Sequence, residues 1–299
     1  MKILLLGKKG MLGSCFLKHL AGHEDFEMYA TDREELDVTS FAQLEKTFNR
    51  ISPDLVINCA AYTAVDACED KDNLDDAFQL NGRAPGVIAK VCKENNSVLI
   101  HFSTDYVFDG TKSDGYKEDD ETNPINVYGV SKLEGESFIT DTMSKYYIVR
   151  TSWLFGDRGK NFVDTMIRLG KEKDHLKVVG DQIGSPTYTA DLVRFVLKHF
   201  IKPYIANIPQ HHEKNMVQED CEVGKQLPFG NYHLTNDGVC SWYDFAEEIF
   251  KVRGLDVEVE KVTSSEFVRP AKRPAFSILQ NTKLPKLRSW QEALKAYIG

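Results

Sequence analysis

Lys2-Ile3-Leu4-Leu5-Leu6-Gly7-Lys8-Lys9-Gly10-Met11-Leu12-Gly13 is the stretch whose reading decides the fold. An apolar run ended by glycine reads as a short buried strand, and the amphipathic residues 11–20 behind it read as a helix. Glycine at position 7 permits the tight turn, and at position 10 it lets a pyrophosphate approach the backbone. At position 13 it lets the helix pack on the sheet. The helix then turns its free N–H groups and the positive end of its dipole toward that phosphate. Tight turns alone explain many GxxGxxG runs, but one set between a strand and a helix is the context of a dinucleotide site. Gly7, Gly10, Met11, Leu12 and Gly13 are therefore the expected cofactor contacts.

The pattern continues outward from this unit. Apolar runs at 26–30, 55–58, 98–102 and 147–151 read as further buried strands, and 40–49, 75–95 and 127–139 read as helices. Strands separated by helices imply an α/β fold with a doubly wound parallel sheet of the Rossmann type. Its crossovers are right-handed and its ligands sit at the carboxyl ends of the strands. Beyond it, 161–171 and 189–200 read as helices, 176–179 as a strand, and 242–252 as a helix capped by Ser241. Residues 202–227 hold Pro203, Pro209, His211, His212 and several charges without periodicity, and read as an exposed loop or insertion. No third ligand lies at helical spacing from His211 and His212, so a solvated loop is expected there and not a metal site.

Composition narrows the partners. A chain of 299 residues suits a main domain with a smaller lobe. A net charge of −8 argues against nucleic acid, which wants a basic face. Six cysteines without a CxxC pair point to reduced thiols in a cytoplasmic protein. No run approaches the roughly 18 apolar residues of a membrane span, and the opening run is too short for a secretory signal.

Two further places carry chemistry. After the second strand come Asp32 and Arg33. An acid there accepts hydrogen bonds from the adenosine ribose, the mark of NADH, whereas an arginine there pairs with the 2′-phosphate of NADPH. The presence of both leaves the choice between NADPH and NADH open. The run ending at 102 leads into Ser103 and Thr104, a hydroxyl where the cofactor crevice opens, and Tyr128 and Lys132 follow at a four-residue spacing that shares one helix face. Reducing a ketone by hydride transfer leaves an alkoxide that needs a proton. Tyr128 is the expected acid, Lys132 the ammonium expected to lower its pKa, and Thr104 the group that positions the carbonyl. A YxxxK alone is common; the glycine loop, the acid, the hydroxyl and the YxxxK in this order are not.

Several segments resemble the dTDP-4-dehydrorhamnose reductase family, a branch of the extended short-chain dehydrogenases and reductases. They are Ser103-Thr104-Asp105-Tyr106-Val107-Phe108-Asp109-Gly110, Asn123-Pro124-Ile125-Asn126-Val127-Tyr128-Gly129, Asn58-Cys59-Ala60-Ala61-Tyr62-Thr63-Ala64-Val65-Asp66 and Arg150-Thr151-Ser152-Trp153-Leu154-Phe155-Gly156. Val179-Gly180-Asp181-Gln182-Ile183-Gly184-Ser185-Pro186-Thr187 belongs with them. The likeness runs over nearly the whole chain and is weakest across 202–227 and at the carboxyl end. It implies Thr104, Tyr128 and Lys132 as the catalytic triad. Asp37, Val38, Ala61, Tyr62 and Thr63 would join the cofactor site, and Thr104, Asp105 and Trp153 would bind a nucleotide-sugar substrate. Trp153 also reads as a core aromatic, and Asn81, which matches a proton-relay asparagine, is explained nearly as well by helix packing. The implied organisation is a dinucleotide-binding domain of residues 1–152 and 184–237 with a discontinuous substrate lobe of 153–183 and 238–299. The implied reaction takes dTDP-4-dehydro-β-L-rhamnose to dTDP-β-L-rhamnose. Another nucleotide-sugar reductase or epimerase is the enzymatic alternative, and a non-catalytic regulatory subunit like methionine adenosyltransferase β is the alternative from another class.

Part of this family binds magnesium at a dimer interface. At the matching places this chain has Cys15 and Ala190, leaving Glu292, and one carboxylate does not hold a cation that wants several oxygens. No metal is expected, and a homodimer is left open.

Overall fold

The computed structural model describes residues 1–206 and 225–299. Five strands, β1 (Lys2–Leu6), β2 (Glu27–Thr31), β3 (Leu55–Asn58), β4 (Val98–Thr104) and β5 (Tyr146–Thr151), form a parallel sheet with Gly230–His233 as a sixth. The order is Gly230–His233, β5, β4, β3, β1, β2, so the chain reverses its direction of winding beside β1. Every residue of β3 and β4 is buried, because helices cover both faces. Alternate residues serve the two faces. Ile3, Leu5, Leu55, Ile57 and Ile100 pack against α1 (Met11–Leu20) and the helix Thr189–Val196. Leu4, Leu6, Val56, Leu99 and Ile148 meet Leu44, Phe48, Ile88 and Ile139 of α2 (Phe41–Ile51), α4 (Ala84–Glu94) and α5 (Val127–Thr142). Before α4 lies α3 (Lys71–Ala77), joined to it by a π-helical turn, Phe78–Arg83.

A second apolar cluster stands apart from the sheet. Phe155, Val163, Met166, Phe245, Ile249, Trp290 and Leu294 bring together the helices Phe162–Glu172, Trp242–Arg253 and Trp290–Ile298. Beside them the strands His175–Val179 and Glu258–Val262 pair in parallel. Ser241 and Ser289 each close a capping box, with Asp244 and Glu292, so these short helices begin with their first N–H groups satisfied. From this cluster the chain returns to the sheet. The Tyr116 N–H bonds Ile278 O at 2.8 Å and the Ser277 N–H bonds Ile183 O at 2.8 Å.

Most elements stand within a residue or two of the sequence expectation, and four departures are informative. β4 runs two residues past 102, so Thr104 is its last residue. The helix expected from 75 begins at Lys71, because the Asp70 side chain caps it. The edge strand Gly230–His233 was not anticipated; with one large apolar residue, Tyr232, it shows no alternation and is held by pairing to β5. Residues 202–206, expected as loop, are helical. The helix from Thr189 widens into a π-helical turn at Leu197–Ile201, with the Lys202 N–H on Leu197 O, and carries Pro203 just past it. His211, His212 and the rest of the expected insertion up to 224 lie outside the described residues. Among the described residues no helix is long and apolar enough to cross a membrane.

One buried ion pair ties the helix of Tyr128 to the sheet. Arg150 on β5 meets Glu136 on α5 with Nη2–Oε2 at 2.7 Å and Nε–Oε1 at 3.0 Å, both side chains 4% exposed. Its Nη1 donates to Glu118 O at 3.3 Å and its guanidinium covers the Phe108 ring. A charge stranded by loss of its partner costs about 3–5 kcal/mol, whereas an apolar pair of similar volume is near neutral. Glu136→Leu is expected to lower the unfolding free energy obtained from urea titration by that amount, and Glu136→Leu with Arg150→Met to recover most of it. Equal stability of the single and double variants would show that the pair does not hold α5.

Candidate active site

The glycine loop has the shape its spacing implies. Gly7 has φ +81°, and a Cβ there would lie 2.8 Å from Ala60 N. A Cβ at Gly13 would lie 2.0 Å from Gly7 O, so α1 sits directly on the turn. Gly10 precedes α1 in extended conformation, and no side chain caps the helix, which leaves its first N–H groups facing outward. A groove of about 560 Å³ opens beside it, lined among others by Gly7, Gly10, Asp32, Arg33, Asp37, Val38, Ala61 and Tyr62. Of the other expected contacts, Leu12 and Gly13 are buried beneath the loop, Met11 packs beside Gly159, and Thr63 is exposed in the turn beyond Tyr62.

The rim carries dense charge. Asp32 accepts the Lys9 N–H at 2.8 Å and the Arg33 N–H at 2.9 Å, so its carboxylate also ties the glycine loop to the end of β2. Lys8 pairs with Glu35 at 2.6 Å and Lys9 with Glu34 at 2.7 Å. Arg33 is exposed, and its guanidinium makes no side-chain hydrogen bond or close ion pair among the described residues, although its charge is felt by Asp37. The Thr39 amide and hydroxyl hold Asp37 below the usual carboxylate range.

At the end of β4, Thr104 donates to Asp105 Oδ1 at 2.9 Å and accepts the Tyr106 N–H, and its hydroxyl meets that of Tyr128. Asn126 caps α5 through the Gly129 N–H at 2.8 Å, which sets Tyr128 in the first turn. Lys132 follows one turn on, with Nζ donating to Phe102 O at 2.7 Å and lying 3.3 Å from His101 Nε2. Burial brings Lys132 down to about 8. Here the sequence expectation is corrected. The Tyr128 hydroxyl is held above its ordinary pKa, not below it, because burial outweighs the Thr104 hydrogen bond and Asp105 adds to the rise. The Lys132 amine is turned to Phe102 and His101 instead of to the phenol. Asn81 is fully buried. Its amide accepts the Tyr62 N–H and donates to Tyr62 O and Ser131 Oγ, so it braces the 61–63 loop.

Residues that sequence reasoning did not single out complete the site. Ser277 lies beside Asp105, and a Cβ at Gly184 would touch both Ser277 Oγ, at 2.9 Å, and Trp153 Cε2, at 2.6 Å. Trp153 is thereby joined to Asp105 through a continuous wall. Half-buried, with φ +49°, it stacks on Trp242 at 3.5 Å between ring centroids. Arg273 grips Asp66 with both terminal nitrogens and hydrogen-bonds Tyr106. Asp66 stands in a quoted motif, but nothing along the chain pairs it with Arg273. Of the positions considered for metal, Glu292 is spent on its cap and Cys15 is buried beside His19; Asp191, next to Ala190, is held by Arg288 and Arg194.

A glycine-rich crevice at the winding reversal of a parallel sheet, followed by a Thr–Tyr–Lys set on β4 and α5, defines an extended short-chain dehydrogenase/reductase. The family model described as the RmlD substrate binding domain matches residues 1–299. The chain belongs to that family. It is 38% identical to a dTDP-4-dehydrorhamnose reductase of Aggregatibacter actinomycetemcomitans, over 98% of this chain and 97% of that one. The crystal structure of a dTDP-4-dehydrorhamnose reductase from Clostridium acetobutylicum superposes with a TM-score of 0.87 at 44% identity, covering 100% of this chain and 98% of that one. The Bacillus anthracis reductase in complex with NADP gives 0.87 at 37% identity, covering 99% and 98%.

Asp105 gives a test of the site's electrostatics. Burial lifts it to about 6, against the neighbouring Ser277 and the Thr104 hydrogen bond, which lower it. Above pH 6 the carboxyl is ionised folded and unfolded alike, and the folded state bears the whole cost; below about 4 it is protonated in both and the cost is gone. At about 1.4 kcal/mol per pH unit, Asp105→Asn is expected to stabilise the protein by up to about 3 kcal/mol at pH 7. The gain should shrink as pH falls from 6 to 4. Urea unfolding at pH 4 and pH 7 decides, and a gain equal at both would refute it.

Proposed function

We propose that the chain reduces the C4 ketone of a dTDP-linked deoxysugar, dTDP-4-dehydro-β-L-rhamnose, to the alcohol with NADPH or NADH. The observation that carries this reading is the meeting of the Thr104 and Tyr128 hydroxyls at the end of β4, with Lys132 one turn on. It stands in a chain similar over its full length to proteins named as that reductase. The glycine cradle and the groove beside it fit an extended dinucleotide, held at its pyrophosphate by the N–H groups of α1 and at its adenosine end by Asp32, Arg33 and Asp37. When bound, the dihydronicotinamide supplies the hydride. Thr104 orients the ketone oxygen, and the Tyr128 O–H delivers the proton that the oxygen needs once C4 has received hydride. A phenol held above its ordinary pKa stays protonated until the alkoxide forms, which suits an acid.

Residues 1–152 and 184–237 form the dinucleotide domain in this reading, and 153–183 and 238–299 the nucleotide-sugar lobe. The separate apolar cluster around Phe155 and Phe245 supports the division. Trp153 and Asp105 face the sugar nucleotide. The enzyme works in the cytoplasm, where reduced cofactor is maintained. A homodimer has support in the exposed Val130 and Phe138 of α5, and sedimentation decides it.

With dTDP-4-dehydro-β-L-rhamnose and NADPH, the purified protein is expected to turn over. Tyr128→Phe should keep cofactor affinity and lose about 100- to 10,000-fold in kcat/KM, the usual share of a general acid. Cofactor oxidation followed by absorbance checks both, and a variant within a few-fold of the parent removes Tyr128 from the role.

The exposed Arg33 bears on cofactor choice. Both cofactors are expected to serve, and Arg33→Ala should weaken NADPH by about 10- to 100-fold while sparing NADH, through loss of a charge-assisted phosphate contact. Titration of each cofactor against the variant tests this. Equal losses mean that Arg33 does not read the 2′-phosphate.

A further inference from the structure

Behind Lys132 lies a buried chain of polar groups that the reaction does not explain. Asn58, His101 and Lys132 are 2%, 0% and 2% exposed. Asn58 Oδ1 accepts the Ala60 N–H at 3.1 Å, and its Nδ2 lies 3.0 Å from His101 Nδ1. A backbone N–H only donates, so the oxygen of the amide is fixed on Ala60 and the NH₂ on the imidazole. The amide therefore donates to Nδ1, and Nδ1 holds a lone pair. The proton of the neutral ring then sits on Nε2, which faces Lys132 Nζ at 3.3 Å.

We propose that Asn58 locks His101 as the Nε2–H tautomer and that His101, by donating to Nζ, stabilises the free-base form of Lys132 in the cofactor-free protein. The amine takes the ring's proton in a hydrogen bond with its own lone pair and gives one N–H to Phe102 O at 2.7 Å. An ammonium would set N–H against N–H at the imidazole, with no solvent to relieve it. The other groups around Lys132 do not restore the charge. Glu136, one turn on along α5, is spent on Arg150, and the Cys59 thiol from the end of β3 is held neutral by burial. Tyr128, one turn back, is a neutral phenol, and His101 itself is kept neutral by burial. The lowered pKa of Lys132 agrees with this arrangement. His101 is thus a positioning residue that acts through Lys132. For catalysis, and here the inference rests on the reductase reading, the balance shifts back to the ammonium form of Lys132 when the cofactor or substrate displaces this contact.

Two labels on the full-length protein test the proposal without turnover. Nitrogen-15 histidine NMR reports the tautomer of His101, assigned by its loss in His101→Gln. Carbon-13 lysine NMR follows the titration of Lys132, assigned by Lys132→Arg. Expected are a protonated Nε2 with bare Nδ1 on His101, and a Lys132 titration well below that of the other lysines. Asn58→Asp should reverse the chain, since a carboxylate accepts from Ala60 and from Nδ1–H together. His101 should then turn its Nε2 lone pair to Lys132, and the titration should rise by at least about one pH unit. An Nδ1–H tautomer in the parent protein overturns the proposal even where the aspartate variant fails to fold. So does an Asn58→Asp protein whose tautomer and titration are unchanged. Loss of turnover on every keto-sugar, with the spectra as expected, would count against the reductase reading and leave the chain of contacts standing.

Discussion

The helix α5 carries Tyr128 and Lys132 into the crevice only because it has glycine where it crosses its neighbours. A Cβ at Gly129 would lie 2.2 Å from Tyr106 O, and one at Gly135 would lie 2.2 Å from Asn81 O. No side chain fits at either place. The first contact presses the start of the helix onto the turn after β4, which is where Thr104 and Tyr128 meet. The second presses its middle onto the π-helical turn that carries Asn81, and Asn81 in turn holds the loop at Tyr62. The Arg150–Glu136 pair then fixes the same helix to β5. The crevice floor, the placement of the Thr104 and Tyr128 hydroxyls and one wall of the groove thus follow from how closely one helix is allowed to approach.

Electrostatic strain concentrates at the same place. Within a few residues the structure buries Asp105, Tyr128, Lys132 and His101, and burial disfavours the charged form of each. At neutral pH Asp105 and Lys132 bear that cost in stability and are poised to change protonation when a ligand alters their surroundings, whereas Tyr128 and His101 are neutral folded and unfolded alike. The structural polar groups of the core differ. Arg150 keeps a bidentate carboxylate, and Asp191 is held by two arginines and Asn236, so their charges are compensated where they lie.

Residues 271–280 form a strap between the second cluster and the end of the sheet where Thr104 stands. Arg273 holds it to Asp66, Asn126 holds it at Lys272 O, and Ser277 reaches Asp105. The strap therefore touches the loop after β3, the cap of α5 and the acid next to Thr104. These contacts limit how far the second cluster can move from the sheet.

Local rules were enough for much of this. Strand and helix periods, the glycines at 7, 10 and 13, Ser241 as a cap, and the four-residue step from Tyr128 to Lys132 are all properties of neighbours along the chain. The resemblance of whole segments added Asp105 and Trp153. Short-range pattern does not contain the edge strand Gly230–His233, which exists because β5 has an open side, or the helical run through Pro203, which a widened turn permits. Nor does it contain the pairs that complete the site. Arg273 and Asp66 are 207 residues apart, and Asn58 and His101 are 43 apart. The direction in which the Tyr128 pKa moves was misjudged from sequence because the YxxxK spacing shows that a lysine is near, but not which way its amine turns or how dry the phenol is. Period and spacing are set by backbone geometry and are written in order. Burial and long-range partners arise only when the packed chain excludes water, and those decided the chemistry of the site.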